Sequence, residues 1–146
     1  MDYFAECENM LKNFNMLKSA RNNLIKRKQR LESSGAPKDI QSFDFSKPYV
    51  SGNFVNDTYK QLFEYGEVCR EIKETADKIE EIEHIVSQLP EESRNVIQLL
   101  YFDGATNSQA AEALNCWSVT TVYKKKNVAI KDFALLYYGA AALGEI

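Results

Sequence analysis

Two apolar series with alternating spacings of four and three residues place the tightest limits on this fold. The first runs Tyr3, Cys7, Met10, Phe14, Leu17, Arg21, Leu24, Lys28 and Leu31, and the second Tyr65, Val68, Ile72, Thr75, Ile79, Ile82, Val86 and Leu89. Such a repeat averages 3.5 residues, the period of a helix that keeps one face toward a partner helix. Neither stretch contains proline, so each is predicted to run as one helix of about 25–29 residues, roughly 40 Å long at 1.5 Å per residue. A helix with one apolar stripe must bury it. The nearest partner is the other stripe, which gives a long antiparallel, coiled-coil-like hairpin over residues 1–88. Charge agrees: residues 1–34 carry seven Lys/Arg against four Asp/Glu, and residues 57–88 four against nine. Lys26, Arg27, Lys28 and Arg30 or their neighbours would then lie beside an acidic second helix. Self-association through the same stripes is the competing use, and a homodimer is the expected state.

A connector, residues 33–57, joins the two series. Gly35, Pro37, Pro48 and Gly52 are expected to break any helix there. Loops above about 12–15 residues are uncommon inside a compact domain, so the segment reads as a tethered or flexible connector, with Phe43, Phe45, Tyr49, Val50 and Phe54 as candidate anchors.

Residues 89–146 read as a separate module of three short helices. Leu89-Pro90 ends the second long helix, because proline disfavours helical geometry in the residue before it and suits a new first turn. Val96, Ile97, Leu99, Leu100 and Phe102 give the next helix an apolar face, and Asp103-Gly104 stops it. Thr106 or Asn107 caps the second helix, whose inward residues are Ala110, Ala111 and Leu114. Alanines at those positions let two helices cross closely. After the turn Asn115-Cys116-Trp117, Ser118 caps a third helix whose Val122, Ala129, Ile130 and Phe133 face inward. Val119, Thr120, Thr121, Tyr123, Lys124 and Lys125 are left on or near the exposed side. Helices laid in the major groove use N-terminal residues of this kind for base edges and their neighbours for phosphates. Threonine can meet a thymine methyl or a polar base edge, and lysine a phosphate or guanine. Between Trp117 and Lys131 there are four lysines and no acid. Trp117 is expected to close the small core rather than stack on a base, whereas Tyr123 is balanced between packing and phosphate contact. Leu135, Leu136, Tyr137 and Tyr138 are expected to continue the last helix and pack on the module, with Gly139 ending it; a dimer contact is the alternative.

This module resembles the region-4 helix-turn-helix of sigma-70-type factors. The residues that carry the resemblance are Leu89-Pro90, Arg94, Leu99 to Gly104, Ala111 with Leu114, and Val122-Tyr123 followed by Ala129. With two heptad helices and a Gly/Pro/Ser-rich connector upstream, the chain is similar in outline to the ArpU and RinA late-gene activators of Gram-positive phages and prophages. The resemblance implies an all-α protein, a hairpin followed by a helix-turn-helix domain at 89–146, that binds double-stranded DNA sequence-specifically and regulates transcription. It also implies contact with RNA polymerase. DNA-contacting positions carried over are Ser118, Val119, Thr120, Thr121, Tyr123, Lys124 and Lys125, with Asn107 and Gln109 on the preceding helix. The sequence departs from the pattern in three places. Asn115 stands where glycine is usual, the turn is one residue longer, and Val119 and Thr120 replace arginines. Single-copy affinity is therefore expected to be low, with dimerisation compensating. Nothing resembles the parts of a sigma factor that melt and read a promoter.

Other classes are weaker. A net charge of -3 and a pI near 5.3 oppose nonspecific coating of DNA, which rests on lysine and arginine. Cys7, Cys69 and Cys116 show no metal-ligand spacing and suit reduced, core-filling thiols. The only histidine, His84, and the pairs Glu80-Glu81 and Glu91-Glu92 have no setting for acid–base work, and no phosphate-cradling glycine loop occurs. No enzyme, metal or cofactor is expected. Without a membrane-length apolar run, or a signal peptide in MDYFAECENM, a cytoplasmic location is expected. A small terminase-like DNA-packaging subunit, forming a ring-sized oligomer, and a helical adaptor touching RNA polymerase are the alternatives.

Overall fold

The computed structural model describes residues 2–33 and 52–144. Among them there are six α-helices and no strand: α1 Tyr3–Lys12, α2 Phe14–Ser33, α3 Gly52–Gln88, α4 Glu91–Ile97, α5 Asn107–Ala113 and α6 Val119–Tyr138. A π-helical turn, Gln98–Phe102, extends α4, and a 3-10 segment, Gly139–Gly144, follows α6. No helix among the described residues is long and apolar enough to cross a membrane.

Two boundaries differ from the sequence reading. The first heptad stretch is not one helix, because Asn13 leaves helical geometry at φ -95°, ψ 1°. Its N–H still bonds Asn9 O (3.0 Å) and its carbonyl still accepts from Leu17 N (2.9 Å), so the hydrogen-bond row continues across the break. Asparagine tolerates this because its short polar side chain competes with the backbone for hydrogen bonds. The second difference is Gly52, expected to break a helix, which instead begins α3. The anchors expected at Phe43, Phe45, Tyr49 and Val50 lie outside the described residues, as does the side chain of Phe54.

The chain divides into two units, Met1–Leu17 with Lys78–Ile146, and Lys18–Asp77. In the second unit the Arg27 guanidinium meets the Glu64 carboxylate at 3.0 Å, and the Tyr65 hydroxyl donates to Glu32 at 2.8 Å. Burial and the adjacent Glu32 carboxylate push the Tyr65 phenol upward. Leu62, Tyr65 and Val68 are buried, so the stripe read from the sequence does face inward here.

The first unit holds the main core. Cys7 and Leu11 of α1, Phe14, then Ile79, Ile82 and Val86 of α3, Leu89 just past its end, Val96 and Ile97 of α4, and Ile130 and Phe133 of α6 belong to one buried cluster. Each fully buried aliphatic or aromatic side chain contributes about 1.5–3 kcal/mol relative to exposure. The rings of Phe14 and Phe102 lie 4.4 Å apart. Asn15 donates to the carbonyl of Phe102 at 3.0 Å, which satisfies an acceptor where the π turn ends and no further turn follows. Burial pushes the Cys7 thiol up to about 11, so it stays protonated and inert, as expected of a core filler; Cys69 and Cys116 are half-buried.

Helix α6 ends at Gly139, whose φ of +70° suits glycine at a helix terminus. Of the four residues before it, Tyr137 and Tyr138 are half-buried and pack on the core, Tyr138 lying 4.4 Å from the ring of Tyr3. Leu135 and Leu136 face outward instead of packing.

Candidate nucleic-acid interface

Helix α5 starts at a complete capping box. The Thr106 hydroxyl accepts from Gln109 N at 3.2 Å while the Gln109 carboxamide oxygen accepts from Thr106 N at 2.9 Å, satisfying two otherwise orphaned donors. Thr106 is therefore the cap, and Asn107 the first helical residue. The helix ends as regularly as it starts. Asn115 adopts φ 55°, Asn115 N bonds Glu112 O at 3.2 Å, and Cys116 N bonds Ala111 O at 2.8 Å. These are the paired bonds of a Schellman ending, which needs one left-handed residue. Asparagine fills that place with only a modest penalty.

The chain then extends through Ser118, whose φ of -154° and ψ of 162° precede α6 and whose side chain accepts from Thr121 N. Ala110, Ala111 and Val122 form a small buried cluster, with Leu100 and Cys116 against it. Alanine on the α5 side brings the two backbones close, as the sequence suggested. A narrow support of this kind leaves the opposite side of α6 open.

On that side Thr120, Tyr123, Lys124, Asn127, Val128 and Lys131 are all exposed. Their spacing of three and four places them on one stripe. The Asn107 carboxamide donates to the Tyr123 hydroxyl at 3.1 Å, which ties the start of α5 to this stripe. Lys126 is half-buried, 4.9 Å from the centre of the Tyr123 ring and 3.8 Å from Glu8.

The nine residues singled out from the sequence are not equivalent. Thr120, Tyr123 and Lys124 share the exposed stripe, with Val119 at its edge. Ser118 and Thr121 are engaged with each other at the cap, and Gln109 in the capping box. Lys125 is held by Glu92 of α4 at 2.5 Å. The hydrogen bond and the attraction between them lower the Glu92 carboxyl and raise the Lys125 ammonium. Of the three consecutive lysines, Lys124 alone points fully to solvent.

Trp117 does not close the small core. It is 102% exposed, because the Schellman turn aims Cys116 at the alanines and leaves the next side chain facing away. Two other features have no signal in the local sequence. Buried Ser93 donates to Asp132 at 2.8 Å, clasping α4 to the middle of α6, and Glu92 neutralises Lys125 from α4. Both join residues more than thirty positions apart, beyond the reach of helical periodicity. Among the described residues no group of histidine, cysteine and carboxylate side chains could hold a metal ion.

No curated protein and no solved structure matches this chain. A family model does match it, over residues 42–134, so the chain belongs to the family described as Protein of unknown function (DUF1492).

Proposed function

We propose that this protein is a sequence-specific DNA-binding transcriptional regulator, with α5, the turn and α6 acting as a helix-turn-helix of the sigma-70 region-4 kind. The observation that carries the reading is the exposed stripe of Thr120, Tyr123 and Lys124 at the start of α6, set directly after a doubly capped turn and backed by Ala110 and Ala111. A helix entering the major groove needs that combination: a free N-terminal face, and a preceding helix close behind it that crosses the backbone. In this reading Thr120 meets a base edge and Lys124 a guanine or phosphate. Tyr123, steadied by Asn107, places its hydroxyl toward the backbone. Trp117, an indole fully exposed to solvent, precedes the cap Ser118. Glu92 trims the positive field by pairing with Lys125, which fits a reader of sequence better than a general DNA coat.

The ArpU- and RinA-like outline adds a helical hairpin from α2 and α3, supported by the Arg27–Glu64 and Tyr65–Glu32 contacts. Tyr65, Val68, Ile79, Ile82, Val86 and Leu89 are already buried within the chain. A homodimer would therefore meet through other side chains, such as Phe63, 72% exposed on α3. RNA polymerase is the protein partner this reading carries, in a cytoplasmic setting of the phage or prophage type.

Footprinting the tagged protein on the genome of its host tests the proposal. Discrete protected sites upstream of genes are expected. Even coverage, or recovery of a protein partner with no DNA, would contradict it.

A further inference from the structure

Helix α2 carries a second surface of the same chemistry, remote in sequence from α6. Between Glu8 and Glu32 the chain has seven lysines and arginines and no acid. Ser19, Asn22, Asn23, Lys26, Gln29 and Arg30 are all exposed, and at 100° per residue they fall on one side of the helix. That side consists of amides, a hydroxyl and cations. An ordinary solvated helix face intersperses both signs of charge, and this one does not.

Pairing with the acidic α3 would be the plain use of such a basic face, but several acids of α3 are answered within α3. Arg70 lies 2.6 Å from Glu67 and 3.9 Å from Glu71, and Lys73 lies 3.0 Å from Asp77. Arg27 does reach across, to Glu64. Among the described residues Lys26 and Arg30 have no acidic partner. They stand one turn apart, about 6 Å along the axis, flanked by amides that can donate to phosphate oxygens as well.

We infer that this face of α2, centred on Asn22, Asn23, Lys26 and Arg30, is a second nucleic-acid contact, one that grips the phosphate backbone of duplex DNA without reading its sequence. The inference rests on the DNA-binding reading above and adds a division of labour to it. Helix α6 discriminates among sequences, and α2 supplies electrostatic affinity that an acidic protein with a single free lysine in its α6 triplet otherwise lacks.

Salt dependence separates the two roles. Each phosphate contact adds about 0.9 to the slope of log K against log salt. The full-length Lys26→Ala/Arg30→Ala variant should therefore bind every duplex with a slope shallower by about 1.8. The affinity it loses between 50 and 200 mM salt becomes about twelvefold smaller than for the unaltered chain. Its preference between a footprinted site and a scrambled duplex should not change. Both side chains are exposed, and an unchanged thermal transition confirms that the variant folds. An unchanged slope, with the native chain still binding its site, overturns the inference and leaves the α6 reading intact. If the native chain binds no duplex at 50 mM salt, both fall; binding to phosphatidylglycerol vesicles that needs Lys26 and Arg30 would then assign the face to membranes.

Discussion

From Asn127 to Tyr138, helix α6 is anchored by Ala129, Ile130, Phe133 and Ala134, all fully buried in the main core; from Val119 to Lys126 only Val122 is buried, against two alanines of α5. One half of a continuous helix thus holds the module together, and the other half is held. Under the DNA-binding reading proposed above, stability and recognition are therefore carried by different parts of one helix. The exposed side chains of the first half, Thr120, Tyr123 and Lys124, are not fixed by core packing, so their identities are open to a ligand's demands. Those on the second half are fixed by packing, and the cooperative helix between them transmits rigidity to the exposed end. A recognition surface needs that rigidity, because ordering side chains on binding costs affinity.

The largest effect expected from breaking this contrast comes from Phe133→Ala. Removing a fully buried ring should cost about 3–5 kcal/mol in urea unfolding. A loss below about 1 kcal/mol would mean that the second half is not the anchor. Ala110→Leu comes next. Overfilling the close approach of α5 to α6, where Ala110 is fully buried, should cost about 1–3 kcal/mol, and it should weaken DNA binding further by tilting the first half of α6. Trp117→Ala should be smallest, within about 0.5 kcal/mol of the unaltered chain, since the indole packs on nothing. Trp117 is also the only tryptophan, so its emission should be that of a solvated indole and should be altered by cognate DNA. A blue-shifted emission in the free protein would show that the side chain is covered.

Local signals in the sequence were sufficient wherever one turn of chain decides the structure. Thr106 and Ser118 are caps because their hydroxyls reach an N–H three residues on, and Asn115 takes the left-handed place usually given to glycine. The burial of Val122, Ala129, Ile130 and Phe133 follows from helical periodicity alone. Legibility stopped where distant residues decide. The π turn at Gln98–Phe102 closes through Asp103 N to Gln98 O at 2.8 Å, and apolar spacing does not distinguish it from an α-helical turn. The pairing of Lys125 with Glu92 removes a lysine that the sequence presented as free, and the pair Ser93–Asp132 was silent because serine and aspartate read locally as solvent-facing. Trp117 was misplaced for a similar reason. A large aromatic in a short turn reads as core, until the Schellman geometry assigns the inward position to Cys116.

Whether the first half of α6 reads DNA is decided by the affinity of Thr120→Ala/Lys124→Ala for a footprinted site at fixed salt. Losing a base contact of about 1–3 kcal/mol should weaken binding by about tenfold or more and flatten the preference over a scrambled duplex, while the urea midpoint stays where it was. Equal affinity and equal preference in a variant of unchanged stability would show that this face of α6 does not touch DNA.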